Sequence, residues 1–290
     1  MKKNISDRKI FPLHGWIGLL FIAIFWALNW CLSGIRTHVL FFPLWLGYCL
    51  TVDAFTVFRK GNSLLTRNWR AYIGLFFVSI LGWWMFEAIN LRTQNWSYLG
   101  RELFTRTEFG FLASISFSTV IPAVFGTAEL IGTTHWVKYQ KPWIEISNKQ
   151  RSVVLVFIIG VLMFVLLMFW PKYFFPFVWL SVFFILEPIN VWLGFRSISS
   201  NLSIRDWRIV SALFAAVIIC GFFWEMWNFN SYPKWIYHVP YVDFARIFEM
   251  PLLGYGGYLP FSLELFALYH LVIGLVNRRD LFRYFHIIQD

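Results

Sequence analysis

Cysteine is rare in this chain. Cys31, Cys49 and Cys220 are the three in 290 residues, all lie in apolar runs, and none forms a C-x-x-C pair. That spacing gives no basis for a disulfide framework or a cysteine metal site, and packing or lipid contact is their expected role. Charge is also scarce. Asp, Glu, Lys and Arg make up 14% of the chain, against about 25% for an average soluble domain. Several catalytic signatures are missing as well. There is no G-x-x-x-x-G-K-[ST], no G-x-S-x-G, no H-E-x-x-H or H-x-x-x-H pair and no aspartate-rich magnesium–diphosphate motif. Nucleotide, serine and zinc hydrolysis therefore lose their usual sequence support, and neither a metal nor another cofactor is expected. No basic run carries the interleaved aromatics of a nucleic-acid groove, so the net charge of +10 does not point to nucleic acid.

What the chain has in quantity is apolar surface: 59% of its residues are hydrophobic. A bilayer can accommodate so much apolar surface where a water-soluble core could not. Apolar stretches near the ~20 residues needed to cross hydrocarbon occur at Pro12–Gly34, Val39–Phe58, Ala71–Asn90, Phe109–Leu130, Val153–Trp170, Phe174–Phe195, Ile209–Asn228 and Met250–Val276. They lack the period-two alternation of a barrel strand, so helices are expected. The first stretch follows Lys2, Lys3, Arg8 and Lys9 as a signal peptide would. It is too long for one and has no small-x-small cleavage site, so it reads as a retained span. The predicted fold is thus an all-α integral membrane protein of about eight transmembrane helices.

The loops orient those spans. With a cytoplasmic N-terminus, 18 Lys and Arg residues fall on the cytoplasmic side and 7 on the other. That bias predicts both termini in the cytoplasm. The rare polar residues also recur in order. Arg67-Asn68-Trp69-Arg70 and Arg205-Asp206-Trp207-Arg208 are 138 residues apart, as are Glu87-x-x-Asn90 and Glu225-x-x-Asn228, and Pro122 and Pro260. Trp96-x-Tyr98 and Trp235-x-Tyr237 differ by 139, and Asp53 and Glu187 by 134. The recurrence predicts two tandem four-helix repeats, residues 1–137 and 138–290, related by a parallel pseudo-two-fold along the membrane normal.

Six carboxylates fall within or at the edges of these spans: Asp53, Glu87, Glu129, Glu187, Glu225 and Glu264. At a span centre such a charge costs ~3 kcal/mol, which selects for a bundle-facing, paired or functional group. For Asp53 and Glu129 the structural role leads, with Arg59 or Lys138 near enough to reach back. Glu87 and Glu225 are the candidate catalytic acid–base groups. Asn90 and Asn228, one turn on and on the same helical face, are candidates to position them or to donate to a ligand. The aromatic loop after the seventh span supplies Trp235 and Tyr237, which are interfacial anchors or substrate contacts. His238 is a candidate acid–base or hydrogen-bonding group in the same loop, and Asp243 and Glu249 are expected near Glu225. Glu264 is a further candidate substrate contact. Gly254-Tyr255-Gly256-Gly257 with Pro260 should interrupt the last span, as broken helices do beside a cavity.

Glu87, Trp96, Tyr98, Pro122 and Glu129, with Glu225, Trp235, Tyr237, Pro260 and Glu264, resemble elements of the membrane-embedded lycopene cyclases and related carotenoid-pathway proteins of bacteria and fungi. The likeness is architectural. Where that family has adjacent acids soon after the proline, this chain has Ala123-Val124-Phe125 and Phe261-Ser262-Leu263. The resemblance implies tandem repeats, an isoprenoid substrate, isomerase-type carotenoid chemistry and a bacterial inner-membrane setting.

The chemistry of the residues fits such a substrate. Protonating an alkene needs a neutral carboxylic acid, which a dry apolar bundle favours. A cationic intermediate needs aromatic faces, and 22% of the chain is aromatic. The expected partners are membrane lipids and a hydrophobic small molecule. A proton-coupled transporter or lipid flippase, and a non-catalytic membrane scaffold, stand as alternatives.

Overall fold

The computed structural model describes residues 10–276 together with Tyr284, Phe285 and Ile287. Lys2, Lys3, Arg8, Lys9, Arg278, Arg279 and Arg283, which contribute to the charge bias, lie outside the described residues. So do both chain ends.

Thirteen α-helices are described: α1 (Leu13–Cys31), α2 (Thr37–Lys60), α3 (Leu64–Arg67), α4 (Trp69–Thr93), α5 (Arg106–Phe117), α6 (Val120–Gly132), α7 (His135–Lys138), α8 (Gln150–Phe169), α9 (Pro171–Phe174), α10 (Phe177–Leu193), α11 (Ile198–Leu202), α12 (Arg208–Phe229) and α13 (Tyr258–Val276). Among the described residues, seven segments are long and apolar enough to cross a membrane: α1, α2, α4, α5–α6 taken together, α8, α12, and α13 with the turn before it. The chain is accordingly an integral membrane protein. The predicted sixth span is a shorter apolar helix of 17 residues, α10. The helix breaks at Ser118 and Thr119, between α5 and α6. The expected interruption before Pro260 is a 3₁₀ helix, Leu252–Gly257, with α13 starting at Tyr258.

Local chemistry sets the helix ends. The side chain of Asn68 accepts from the main-chain N–H groups of Arg70 and Ala71 and so caps α4. Gly61, at φ 88°, closes α2 in the left-handed conformation that glycine adopts without steric cost. Two interior acids cap short helices beside the spans. Asp53 accepts from Leu65 N at 3.0 Å and from Ser63 Oγ at 2.7 Å, at the start of α3. Glu187 accepts from Ser199 N at 2.7 Å, at the start of α11. Each carboxylate thus satisfies an otherwise orphaned N–H of a helix first turn.

The core lies where α2, α6, α12 and α13 meet. α1 packs on α2, and α8 on α10; α2 packs on α6, and α10 on α13; α4 packs on α6, and α12 on α13. α6 and α12 join the two sets across the centre. At the α1–α2 crossing, a Cβ on Gly18 would lie 2.7 Å from the Gly47 carbonyl oxygen. Small residues are therefore what let these backbones approach so closely. α1 and α8 are the most exposed of the long helices, carrying Leu20, Ile24, Leu155 and Leu162 on their surfaces. In a bilayer such faces meet hydrocarbon, not water.

Two short ribbons complete the fold of the described residues. β1 (Trp96–Leu99) pairs antiparallel with β2 (Lys234–Tyr237), and β3 (Arg246–Ile247) with β4 (Met250–Pro251). In the first ribbon Trp96 faces Tyr237, Ser97 faces Ile236 and Tyr98 faces Trp235. The two Trp-x-Tyr motifs are thus strand partners at the ends of α4 and α12.

Candidate functional site

The site begins with the ribbon. Asn90, in the last turn of α4, donates its amide N–H to Trp96 O at 2.8 Å and accepts from Asn95 N and Trp96 N. Asn228, in the last turn of α12, donates to Trp235 O at 2.8 Å and accepts from Trp235 N at 3.0 Å. Each asparagine is buried and anchors the main chain at the tryptophan of its Trp-x-Tyr strand. Neither side chain bonds the glutamate one turn earlier. The asparagines fix the ribbon, and the ribbon delivers aromatic donors to the carboxylates.

Glu87 Oε1 accepts three such bonds: from Trp83 Nε1 at 3.1 Å, Trp96 Nε1 at 2.9 Å and the Tyr98 hydroxyl at 2.5 Å. Glu225 Oε1 accepts from the Tyr237 hydroxyl at 2.8 Å and the Tyr258 hydroxyl at 2.6 Å. Burial, followed by the adjacent Glu87 carboxylate, pushes the Tyr98 phenol well above its ordinary value. Burial and then Glu225 do the same to Tyr237. Both phenols therefore stay protonated and act as donors.

All five donor side chains line one cavity of about 160 Å³. Its other walls are almost wholly apolar and aromatic, including Phe41, Phe117, Trp179, Trp224 and Phe261. The two carboxylates are not part of the lining. They sit one layer back and reach the cavity through indole and phenol groups. The volume is close to that of a cavity that holds one benzene, ~150 Å³.

The remaining candidates fall in different places. Trp235 and Tyr237 line the cavity from β2. His238 is at the end of the ribbon, with Nε2 2.9 Å from Ser97 Oγ and its main-chain N–H on Asn95 O, and is not part of the lining. Asp243 pairs with Arg246 at 2.6 Å and Glu249 with Lys234 at 2.5 Å. Glu264 is wholly buried in α13, one helical turn beyond the cavity-lining Phe261, and is itself outside the lining. At the opposite ends of the helices, Glu129 is clamped by Lys60 and Arg67. Arg59 instead donates to the Thr133 hydroxyl and carbonyl.

Two donors escaped the sequence reading. Trp83 lies four residues before Glu87, so helical periodicity places it on the same face, a signal that could have found it. Tyr258 is 33 residues from Glu225 and carries no local signal. Room for its ring comes from Gly221, where a Cβ would approach within 2.7 Å of it. Comparison of the chain with protein-family models, with curated proteins and with solved structures returns no match.

Proposed function

We propose that this chain is a membrane-embedded enzyme that performs carboxylate acid–base chemistry on a hydrophobic isoprenoid or lipid substrate. The observation that carries the reading is the shared cavity: the hydrogen-bond donors of both Glu87 and Glu225 line it, among aromatic faces. One carboxyl delivers a proton through its phenol to an unsaturated carbon of the substrate, breaking an O–H bond and forming a C–H bond. The carbocation is held against the aromatic walls. The other carboxylate, again through a phenol, takes a proton from a neighbouring carbon and restores the double bond. The product is an isomer of the substrate, so the reaction needs protons alone. The cavity accepts the reacting segment, and the rest of a long substrate stays in the bilayer.

The same reading takes the architecture as two tandem repeats of four spans, with α10 as the sixth of eight, and both termini in the cytoplasm. Three correspondences support the repeat. The helices pair in matching sets, Asp53 and Glu187 each cap a main-chain N–H twelve residues on, and Asn90 and Asn228 make the same bonds. An antiparallel ribbon has a two-fold axis normal to its plane. One formed by the two Trp-x-Tyr motifs therefore suits a pseudo-two-fold along the membrane normal. The likeness to carotenoid-pathway cyclases belongs to this reading.

The test is deuterium uptake. The full chain in nanodiscs is incubated in D₂O with a total isoprenoid and lipid extract, and carbon-bound deuterium is followed by mass spectrometry. The parent chain should label a substrate, and Glu225→Gln should abolish labelling while remaining folded, because an amide keeps the packing but not the proton exchange. Absence of carbon-bound deuterium, with proton-coupled movement of a solute that Glu225→Gln removes, would replace the enzyme with a transporter.

A further inference from the structure

The Arg-x-Trp-Arg motif occurs twice in the chain, and the chemistry above uses neither copy. In the first copy, Arg67 turns inward to Glu129, Asn62 and the Tyr284 carbonyl. In the second, 138 residues on, the position corresponding to Glu129 is Ala267. Arg205 has no interior acid to meet there and is exposed.

Arg205 is nonetheless held firmly. Its backbone sits at φ 65°, a left-handed conformation unfavourable for a residue with a Cβ. Its N–H bonds Leu202 O at 3.1 Å, its carbonyl accepts from Trp143 N at 3.2 Å, and its Nε donates to Trp143 O at 3.1 Å. Strain that the surroundings overdetermine is a mark of a position kept for a purpose. The residues beside it enclose a groove of about 270 Å³, lined by Gln140, Lys141, Pro142 and residues 204–208. Within it, Asp206 is satisfied by Arg208, with both bonds at 2.9 Å. Although burial raises the Asp206 carboxyl, those bonds hold it below its ordinary value. Lys141 and Arg205 are the other two cations of the groove, and the Gln140 side-chain oxygen is buried there without a hydrogen bond.

The groove also lies at a definite depth. It adjoins the N-terminus of α12, at the opposite end from the ribbon, and Trp143 and Trp207 stack edge to face beside it at 4.8 Å. Trp136, Trp143 and Ile144 stand exposed nearby, as anchors at a membrane interface do. Polar lining, cations and headgroup depth coincide. We infer that the groove lined by Gln140, Lys141, Arg205 and Arg208 binds the headgroup of an anionic phospholipid, its three cations meeting the phosphate. The occupant is a lipid and not free phosphate, because the aromatic rim places the cations where the headgroups of the surrounding leaflet lie. This site is independent of the carboxylate chemistry and stands or falls apart from it.

The test uses the full chain in zwitterionic detergent. Retention of dioleoyl-phosphatidylglycerol, dioleoyl-phosphatidylcholine and inorganic phosphate is compared by native mass spectrometry. Phosphatidylglycerol should be kept in preference to phosphatidylcholine, with roughly fivefold loss for Lys141→Gln or Arg205→Gln and roughly twenty-five-fold for both together. Arg70→Gln, in the first copy of the motif, should change nothing. Arg205→Gly guards against misfolding. Glycine suits a positive φ, so this variant should melt no lower than the parent and still lose the lipid. Equal retention of the two lipids, unchanged retention in the double variant, or millimolar phosphate occupying the groove as readily as lipid would each overturn the inference.

Discussion

Gly221→Ala should disconnect one phenol from its carboxylate, and its cost can be worked from distances. The added methyl would lie 2.7 Å from Tyr258 Cε2, 2.8 Å from Cδ2 and 3.2 Å from Cζ. Carbon atoms prefer about 3.5–4.0 Å, so the ring must retreat by roughly 1 Å. That movement stretches the 2.6 Å bond from the Tyr258 hydroxyl to Glu225 beyond hydrogen-bonding range. Overpacking costs about 1–3 kcal/mol and the lost bond about 1–2 kcal/mol. Alanine returns about 1 kcal/mol of helix propensity. The net expectation is a loss of about 1–4 kcal/mol, read as unfolding free energy in mixed micelles. A double-mutant cycle isolates the cause. In a Tyr258→Val background, where the ring is gone, the same Gly221→Ala change should be neutral or stabilising. Gly74, with nothing within 4 Å of its Cβ position, is the control, and Gly74→Ala should stabilise by up to about 1 kcal/mol. An equal loss from Gly221→Ala in both backgrounds would refute the steric argument.

Asn228→Ala should free the Trp235 main chain, costing about 1–3 kcal/mol because buried groups are left unpaired, and hydrogen exchange at residues 234–237 should rise; unchanged protection there would remove Asn228 from this role. Asn90→Ala should do the same at residues 96–99. Glu129→Gln strands Lys60 and Arg67 in a largely buried setting and should cost about 3–5 kcal/mol, whereas a loss below about 1 kcal/mol would show that water screens the cluster. Reporter fusions at Asp290 should be active only with cytoplasmic reporters, and activity on the other side would reverse the proposed topology.

Much of this organisation was legible in the sequence because it rests on local or additive quantities. Span positions follow from hydropathy summed over about twenty residues. Asp53 and Glu129 read as structural because Arg59 or Lys138 lay within reach, although Asp53 proved to cap α3 and the cations that clamp Glu129 proved to be Lys60 and Arg67. The ordered spacing of Glu87, Asn90, Trp96 and Tyr98 marked one cluster, and that of Glu225, Asn228, Trp235 and Tyr237 another.

How those residues are connected was decided by tertiary structure. An asparagine one turn from a glutamate is equally placed to bond it or a returning strand; the turn after α4, and the loop after α12, settle the matter in favour of the strand. The pairing of Trp96 with Tyr237, and of Tyr98 with Trp235, joins segments some 140 residues apart and leaves no trace in local periodicity. Tyr258 reaches Glu225 only because α12 and α13 pack with Gly221 between them. Arg67 and Arg205 have similar sequence neighbours, yet Arg67 meets Glu129 and Arg205 bonds the Trp143 carbonyl. Composition and period fix which faces are apolar. The partner of a buried polar group depends on which helix lies opposite, and that is set by packing the whole chain at once.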